Sequence, residues 1–244
     1  MITFLASSPT TELNEAHPIP MLDQRNRFVE LLKQVWPQNA CCLIIAADPV
    51  DFSLNNEMTD YYRTAVINSG LSVTCFNLCD ARYPLLPEED LRRYDVIFLA
   101  GGHVPTQRRW LEQLELRRRL VGFGGLVIGT SAGSMNAART VYAWPEREGE
   151  SIDPDYELFF PGLGLAECNL LPHYQKVKDS GIDGKLYVQD IARSHSCGRR
   201  FLAVPDGSFV LAADGEETVF GEAYLVADGK ITPFCTEGET RRFL

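Results

Sequence analysis

Mostly apolar runs alternate with stretches of helical spacing through the first half of this chain, and that rhythm limits what it can fold into. The runs are Ile2 to Ala6, Cys41 to Ala47, Leu71 to Leu78, Asp95 to Ala100 and Gly125 to Ile128. A strand with water on one face alternates apolar and polar residues, whereas a near-continuous apolar run is buried on both faces. Between the runs lie predicted helices. Over Met21–Trp36, Leu22, Phe28, Leu31, Leu32 and Val35 recur near helical spacing, and Pro37 stops the run. Glu57–Ser69 is ended by Gly70, a short helix is expected over Glu88–Arg93, and Pro105–Gly122 begins with proline and carries Arg117, Arg118 and Arg119 toward its negative end. The pattern predicts an α/β fold: a mostly parallel sheet sandwiched by helices, with ligands bound beyond the carboxyl ends of its strands.

The second half differs. Tyr142 to Phe160 is polar, acidic and proline-bearing, and reads as a long loop; Ile182 to Ser194 reads as a helix. From Arg200 onward, short β-like segments are separated by Asp206-Gly207, Asp214-Gly215 and Asp228-Gly229. These predict an antiparallel β extension of the same sheet. Without a repeat, linker or low-complexity tract, residues 1–244 are expected to form a single domain.

The formal charge of −10 opposes nucleic acid and anionic membrane as partners, because affinity for both comes from neutralising phosphate. No apolar run nears the ~20 residues of a membrane span, and Met1–Ala6 lacks the basic lead of a signal peptide. The seven cysteines are scattered, several within apolar strands, and read as small buried hydrophobes. A reducing cytoplasm is the simplest setting for such usage. No CxxC pair with a histidine partner occurs, so neither a metal nor an organic cofactor is expected. A homodimer is compatible with the sequence but not specified by it.

Gly129-Thr130-Ser131-Ala132-Gly133 carries the chemistry. It follows the apolar Leu126-Val127-Ile128 and leads into the helix-permissive Ser134–Ala138. A serine at the apex of such a strand–turn–helix is a nucleophile elbow, with small neighbours where strand and helix nearly touch. Serine then needs a base, a group to orient the base, and donors for the oxyanion. Of the four histidines, His173 ends the apolar Asn169-Leu170-Leu171-Pro172 and is the best placed base; His17 lies in an early loop and His195 is expected to be exposed. For the orienting acid, Asp206 ends Leu202-Ala203-Val204-Pro205, although Pro-Asp-Gly is also a turn former. Glu167, Asp153 and Asp155 compete with it. The amide of Ala132 is the expected first oxyanion donor, and Gly101-Gly102, after the apolar Val96–Ala100, supplies the second.

Together these pieces resemble the serine peptidase family that contains peptidase E (aspartyl dipeptidase) and cyanophycinase. The anchors are Leu99-Ala100-Gly101-Gly102, Gly129 to Gly133, Gly162-Leu163-Gly164-Leu165 leading to Pro172-His173-Tyr174, and Val204-Pro205-Asp206-Gly207. The resemblance implies a class I glutamine amidotransferase-like fold, with serine in place of cysteine. It also implies a triad in the order nucleophile, histidine, acid, which selects Ser131, His173 and Asp206, with Gly102 and Ala132 as the oxyanion hole. Where peptidase E carries glutamate this chain has Asp206, one methylene shorter. His103 stands where relatives carry an asparagine that shapes the substrate pocket, so Gly101 and His103 are candidate substrate contacts. The segment that carries an arginine in peptidase E reads Gly184–Gln189 here, leaving Lys185 or Arg193 as the nearest cations; lysine offers a point charge and not a bidentate fork.

The expected activity is therefore hydrolysis of short peptides through an acyl-enzyme, with dipeptides bearing N-terminal aspartate as one substrate class. The alternatives are hydrolysis of another acyl bond, such as an ester or a cyanophycin-like amide, and an amidotransferase-like binding domain with an inactive elbow.

Overall fold

A computed structural model describes residues 1–85 and 91–243. The chain runs β1 (Ile2–Ala6), α1 (Phe28–Val35), β2 (Ala40–Ile45), α2 (Phe52–Asn68), β3 (Val73–Cys79), β4 (Val96–Leu99), α3 (Val104–Gln113), α4 (Leu116–Arg119), β5 (Leu126–Thr130) and α5 (Ala132–Asn136). There follow β6 (Thr140–Tyr142), β7 (Phe159–Pro161), β8 (Asn169–Leu171), α6 (Tyr174–Val177), β9 (Gly181–Ile182) and β10 (Lys185–Leu186), then a π-helical turn, Tyr187–Ala192, running into α7 (Arg193–His195). The chain ends with β11 (Arg200–Ala203), β12 (Phe209–Ala213), β13 (Glu216–Phe220), β14 (Ala223–Ala227), β15 (Lys230–Cys235) and β16 (Thr240–Arg242).

The main sheet has the order β16-β13-β12-β1-β5-β4-β2-β3. From β1 to β3 every pairing is parallel, and from β1 to β16 every pairing is antiparallel. Both faces of the central parallel strands are covered, as their mostly apolar sequences require, while the edge strand β3 is only partly buried. In β4, Val96 and Phe98 pack with Phe28 and Leu32 of α1 and Tyr62 and Val66 of α2. The alternate residues Ile97 and Leu99 pack with Trp110 and Leu111 of α3 on the other face. Of the C-terminal strands, β12, β13 and β16 extend this sheet, while β11, β14 and β15 join β8 in a second, four-stranded sheet. There β8 and β11 run parallel.

Several predicted elements differ in extent. The helix expected over Met21–Trp36 begins only at Phe28, because Asn26 and Arg27 have left-handed φ of 52° and 68°. The helix over Pro105–Gly122 is two helices, broken where Glu115 adopts φ 48°. Within Tyr142–Phe160, the ends of the expected loop pair as β6 and β7. Ile182–Ser194 is a two-residue hairpin followed by the π-turn, since Asp183 and Gly184 both take positive φ. The first half of the helix expected over Glu88–Arg93 lies outside the described residues; Leu91–Arg93 form one 3-10 turn.

Cysteine usage also needs correcting. Cys41 and Cys75 form a disulfide, where free buried thiols were expected. The cause is register: β2 and β3 lie side by side, with Cys41 opposite Cys75. The buried Cys42, Cys79, Cys168 and Cys235 keep the expected role. With a cross-link present, the cysteines give no argument for a reducing compartment. Among the described residues, no helix is long and apolar enough to cross a membrane.

Candidate active site

In the main sheet β1, β5 and β4 are neighbours and parallel, so their carboxyl ends open onto one edge. The first residues beyond those ends are Ser7, Ser131, and Ala100 leading to Gly101 and Gly102. Ser131 occupies the turn between β5 and α5 with φ 48° and ψ −111°. A side chain held in so sparsely populated a region costs on the order of 1–3 kcal/mol, which the rest of the fold must offset. Two contacts explain why glycine flanks it. A Cβ on Gly129 would stand 2.8 Å from Ser134 Cα, and one on Gly133 would stand 2.2 Å from the Leu99 carbonyl oxygen. The Ser131 amide donates to the Ala6 carbonyl at 3.0 Å, and Ser134 Oγ donates to the same oxygen at 2.8 Å.

Ala132 begins α5, so its amide belongs to the first turn, which has no acceptor within the helix. Gly101 borders Ser131: a Cβ there would lie 3.4 Å from Ser131 Cβ. Gly102 packs against the end of β2, where a Cβ would come within 2.6 Å of Ala47 Cβ.

His173 and Asp206 come together through the second sheet. Parallel pairing sets Leu171 opposite Ala203, so the residues just past β8 and β11 emerge side by side. His173 Nδ1 lies 2.7 Å from Asp206 Oδ1. A carboxylate only accepts, so Nδ1 carries the proton, leaving Nε2 of a neutral ring as the basic nitrogen. Asp206 Oδ2 accepts from Gln175 Nε2 at 2.5 Å and pairs with Lys176 Nζ at 3.2 Å. Burial would push the Asp206 carboxyl up; the hydrogen bonds from His173 and Ser7, with the nearby cations, hold it well below the usual carboxylate range.

Ser7 was not among the predicted site residues, yet it joins the two sheets here. Its Oγ donates to Asp206 Oδ1 at 2.7 Å and accepts the His173 backbone N–H at 2.7 Å. Ser131 and His173 therefore hang from consecutive residues, Ala6 and Ser7. The available signal was position, since Ser7 is the first polar residue after the β1 run.

The competing carboxylates lie elsewhere. Glu167 pairs with Arg139, and Asp153 accepts the Asp155 amide in an exposed turn. His17 is exposed in its loop. His195, expected to be exposed, is half-buried with Nδ1 2.9 Å from the Tyr142 hydroxyl.

His103 and Lys185 both contact the turn 146–151. His103 Nε2 donates to Glu150 Oε1 at 2.9 Å, and its Nδ1 lies 2.8 Å from Thr106 Oγ1. Burial holds this imidazole below the usual histidine range, against the pull of Glu150. Lys185 Nζ donates to the Ser151 carbonyl at 3.1 Å. Glu150, Asp153, Asp190, Lys185 and His195 line a cavity of about 360 Å³. Among the described residues, no three His, Cys, Asp or Glu side chains converge as a metal ion would require.

Glu146 accepts the Val104 N–H at the start of α3, and burial pushes its carboxyl up to about 7. An unfolded glutamate ionises near 4.3, so between roughly pH 4 and 7 the native state holds a proton that the unfolded state has lost. Stability from this group must fall as pH rises through that window and level off above it. Glu146→Gln keeps an acceptor for Val104 and removes the charge. It should stabilise the protein at pH 8 by on the order of 3–4 kcal/mol and give little gain at pH 4.5. Urea unfolding at both pH values checks this; equal effects would contradict it.

The strand–turn–helix serine, the glycine-bearing neighbouring strand end and the His–Asp pair meet at one edge of a mostly parallel sheet flanked by helices. Comparison gives the family: the sequence profile of peptidase family S51 matches residues 55–220. The chain belongs to that family and is a peptidase. Its fold is also that of a protein assigned as peptidase E from Listeria monocytogenes EGD-e, whose crystal structure at 1.5 Å aligns over 100% of this chain and 98% of that one, with a TM-score of 0.54 and 17% identity. No curated protein sequence matches this chain.

Proposed function

We propose that this protein is a serine peptidase acting on short peptides through Ser131, His173 and Asp206. The observation that carries the reading is the pair of hydrogen bonds from Ser131 N–H to Ala6 and from His173 N–H to Ser7. They hold an elbow serine and a histidine already paired with a carboxylate on adjacent residues of one strand end. Ser131 Oγ attacks the substrate carbonyl as His173 Nε2 takes its proton. Asp206 keeps the other ring proton on Nδ1 and stabilises the imidazolium. The amides of Gly102 and Ala132 bind the oxyanion. His173 then returns its proton to the leaving amine, and water hydrolyses the acyl-enzyme by the same route. A fluorophosphonate probe tests the reading: it should label Ser131, and failure to label would favour an inactive elbow.

For specificity, Glu150 both holds His103, one residue from Gly102, and lines the neighbouring cavity with Asp153 and Asp190. The one lysine there, Lys185, is already bonded to Ser151. Three carboxylates against one engaged ammonium disfavour an acidic substrate side chain, because like charges are costly where water is partly excluded. Neutral or cationic N-terminal residues should be hydrolysed faster than aspartate. A panel of Asp-, Ala- and Lys-initiated dipeptides, with p-nitrophenyl esters beside them, reads this directly. A clear preference for aspartyl dipeptides would reverse it.

A further inference from the structure

We propose that Ser7 is a positioning residue for the reaction, acting through His173 and Asp206; the proposal rests on reading those two as the base and its partner. Ser7 is fully buried and follows the central strand β1. One hydroxyl makes two short bonds of opposite sense: its proton goes to Asp206 Oδ1 at 2.7 Å, while its oxygen accepts the His173 backbone N–H at 2.7 Å. The same oxygen lies 3.4 Å from His173 Nδ1. Both bonds are needed where they are. His173 has left-handed backbone, φ 58° and ψ 34°, which a non-glycine residue keeps only when its surroundings fix it. The Ser7 bond to its amide is one such fixture. Asp206 Oδ1 is the oxygen that receives the ring proton, and a second donor on that atom fixes the carboxylate's rotation about its own bond. Ser7 thereby sets the direction of both partners of the 2.7 Å contact. Being buried with both bonds engaged, it is not itself a nucleophile.

The test compares Ser7→Ala, Ser7→Cys and Ser7→Thr with the wild type. Cysteine nearly preserves the volume but is a weak donor and acceptor, so it retains the packing while removing the bonds. Threonine restores the hydroxyl. The expected result is a kcat about 10–100-fold lower in the alanine and cysteine variants, by analogy with the loss when the hydrogen-bond partner of a metal-ligating histidine is removed. KM should change little, since no substrate contact is lost, and threonine should recover kcat. In an Asp206→Asn background the Ser7→Cys change should cost far less than it does alone, because both act through one contact. A folded Ser7→Cys protein with wild-type kcat overturns the proposal, as does a loss in Ser7→Cys that is equally large in the Asp206→Asn background. Fluorophosphonate labelling of Ser131 in the wild type separates the outcomes. With labelling intact, a neutral Ser7→Cys sinks only this inference; without labelling, the peptidase reading itself fails.

Discussion

Ser131→Ala should abolish turnover while leaving the protein as stable as before. Among the described residues, Ser131 Oγ has no hydrogen-bond partner, so deleting it breaks no bond, and an alanine Cβ meets the same backbone strain as the serine Cβ. A surface-accessible deletion of this kind moves stability by no more than about 0.5 kcal/mol. Removing the nucleophile of a triad, by contrast, costs at least about 10⁴-fold in kcat, because the remaining parts act as a unit. Peptidase assay and thermal unfolding on the same preparation measure both. A variant that keeps full activity would remove Ser131 from the mechanism.

Asp206→Asn should lower kcat by about 10³–10⁴-fold at almost unchanged volume. Its four polar neighbours explain why the amide is a poor substitute. With its oxygen toward His173 and Ser7, the new NH₂ group faces Gln175 Nε2 and Lys176 Nζ, two donors. With the amide turned round, NH₂ faces His173 Nδ1 and forces the ring proton onto Nε2, where a base must be bare. The first arrangement sets donor against donor and the second takes away the basic nitrogen, so neither reproduces the carboxylate. Glu167→Gln is the control: it loses only an exposed pair with Arg139 and should leave turnover within about twofold. Near-wild-type turnover in Asp206→Asn would reassign the orienting role.

The parallel half of the fold was readable because its central strands are apolar on both faces. Val96 and Phe98 bury one way while Ile97 and Leu99 bury the other, and no half-exposed strand has that composition. Ser131 was readable because its glycines report close contacts that sequence expresses directly. His173 and Asp206 each end an apolar run, but position alone left Asp206 level with Glu167, Asp153 and Asp155, and only the family resemblance chose among them. What escaped was information carried by pairing between distant segments. Nothing local marks Ser7 as facing Asp206, or Glu150 as facing His103. The Cys41–Cys75 bond depends on strand register, which spacing does not encode. Helix limits were misjudged where Arg27 and Glu115 take left-handed backbone without a glycine to announce it. The split of the C-terminal strands between two sheets was hidden for the same reason, since β11 and β12 look alike until β8 supplies a parallel partner.

The position of β1 has a consequence for how the molecule is made. Phe4 faces Ile128 on one side and Leu211 on the other, so β1 has both neighbours only once the sequence-distant β12 is in place. Contacts so distant in sequence form late, because loop closure precedes any gain from them. The elbow and the His–Asp pair are likewise separated along the chain and joined at the end of that same strand. Ser131 and His173 therefore reach a common strand end only when both distant segments have closed around β1.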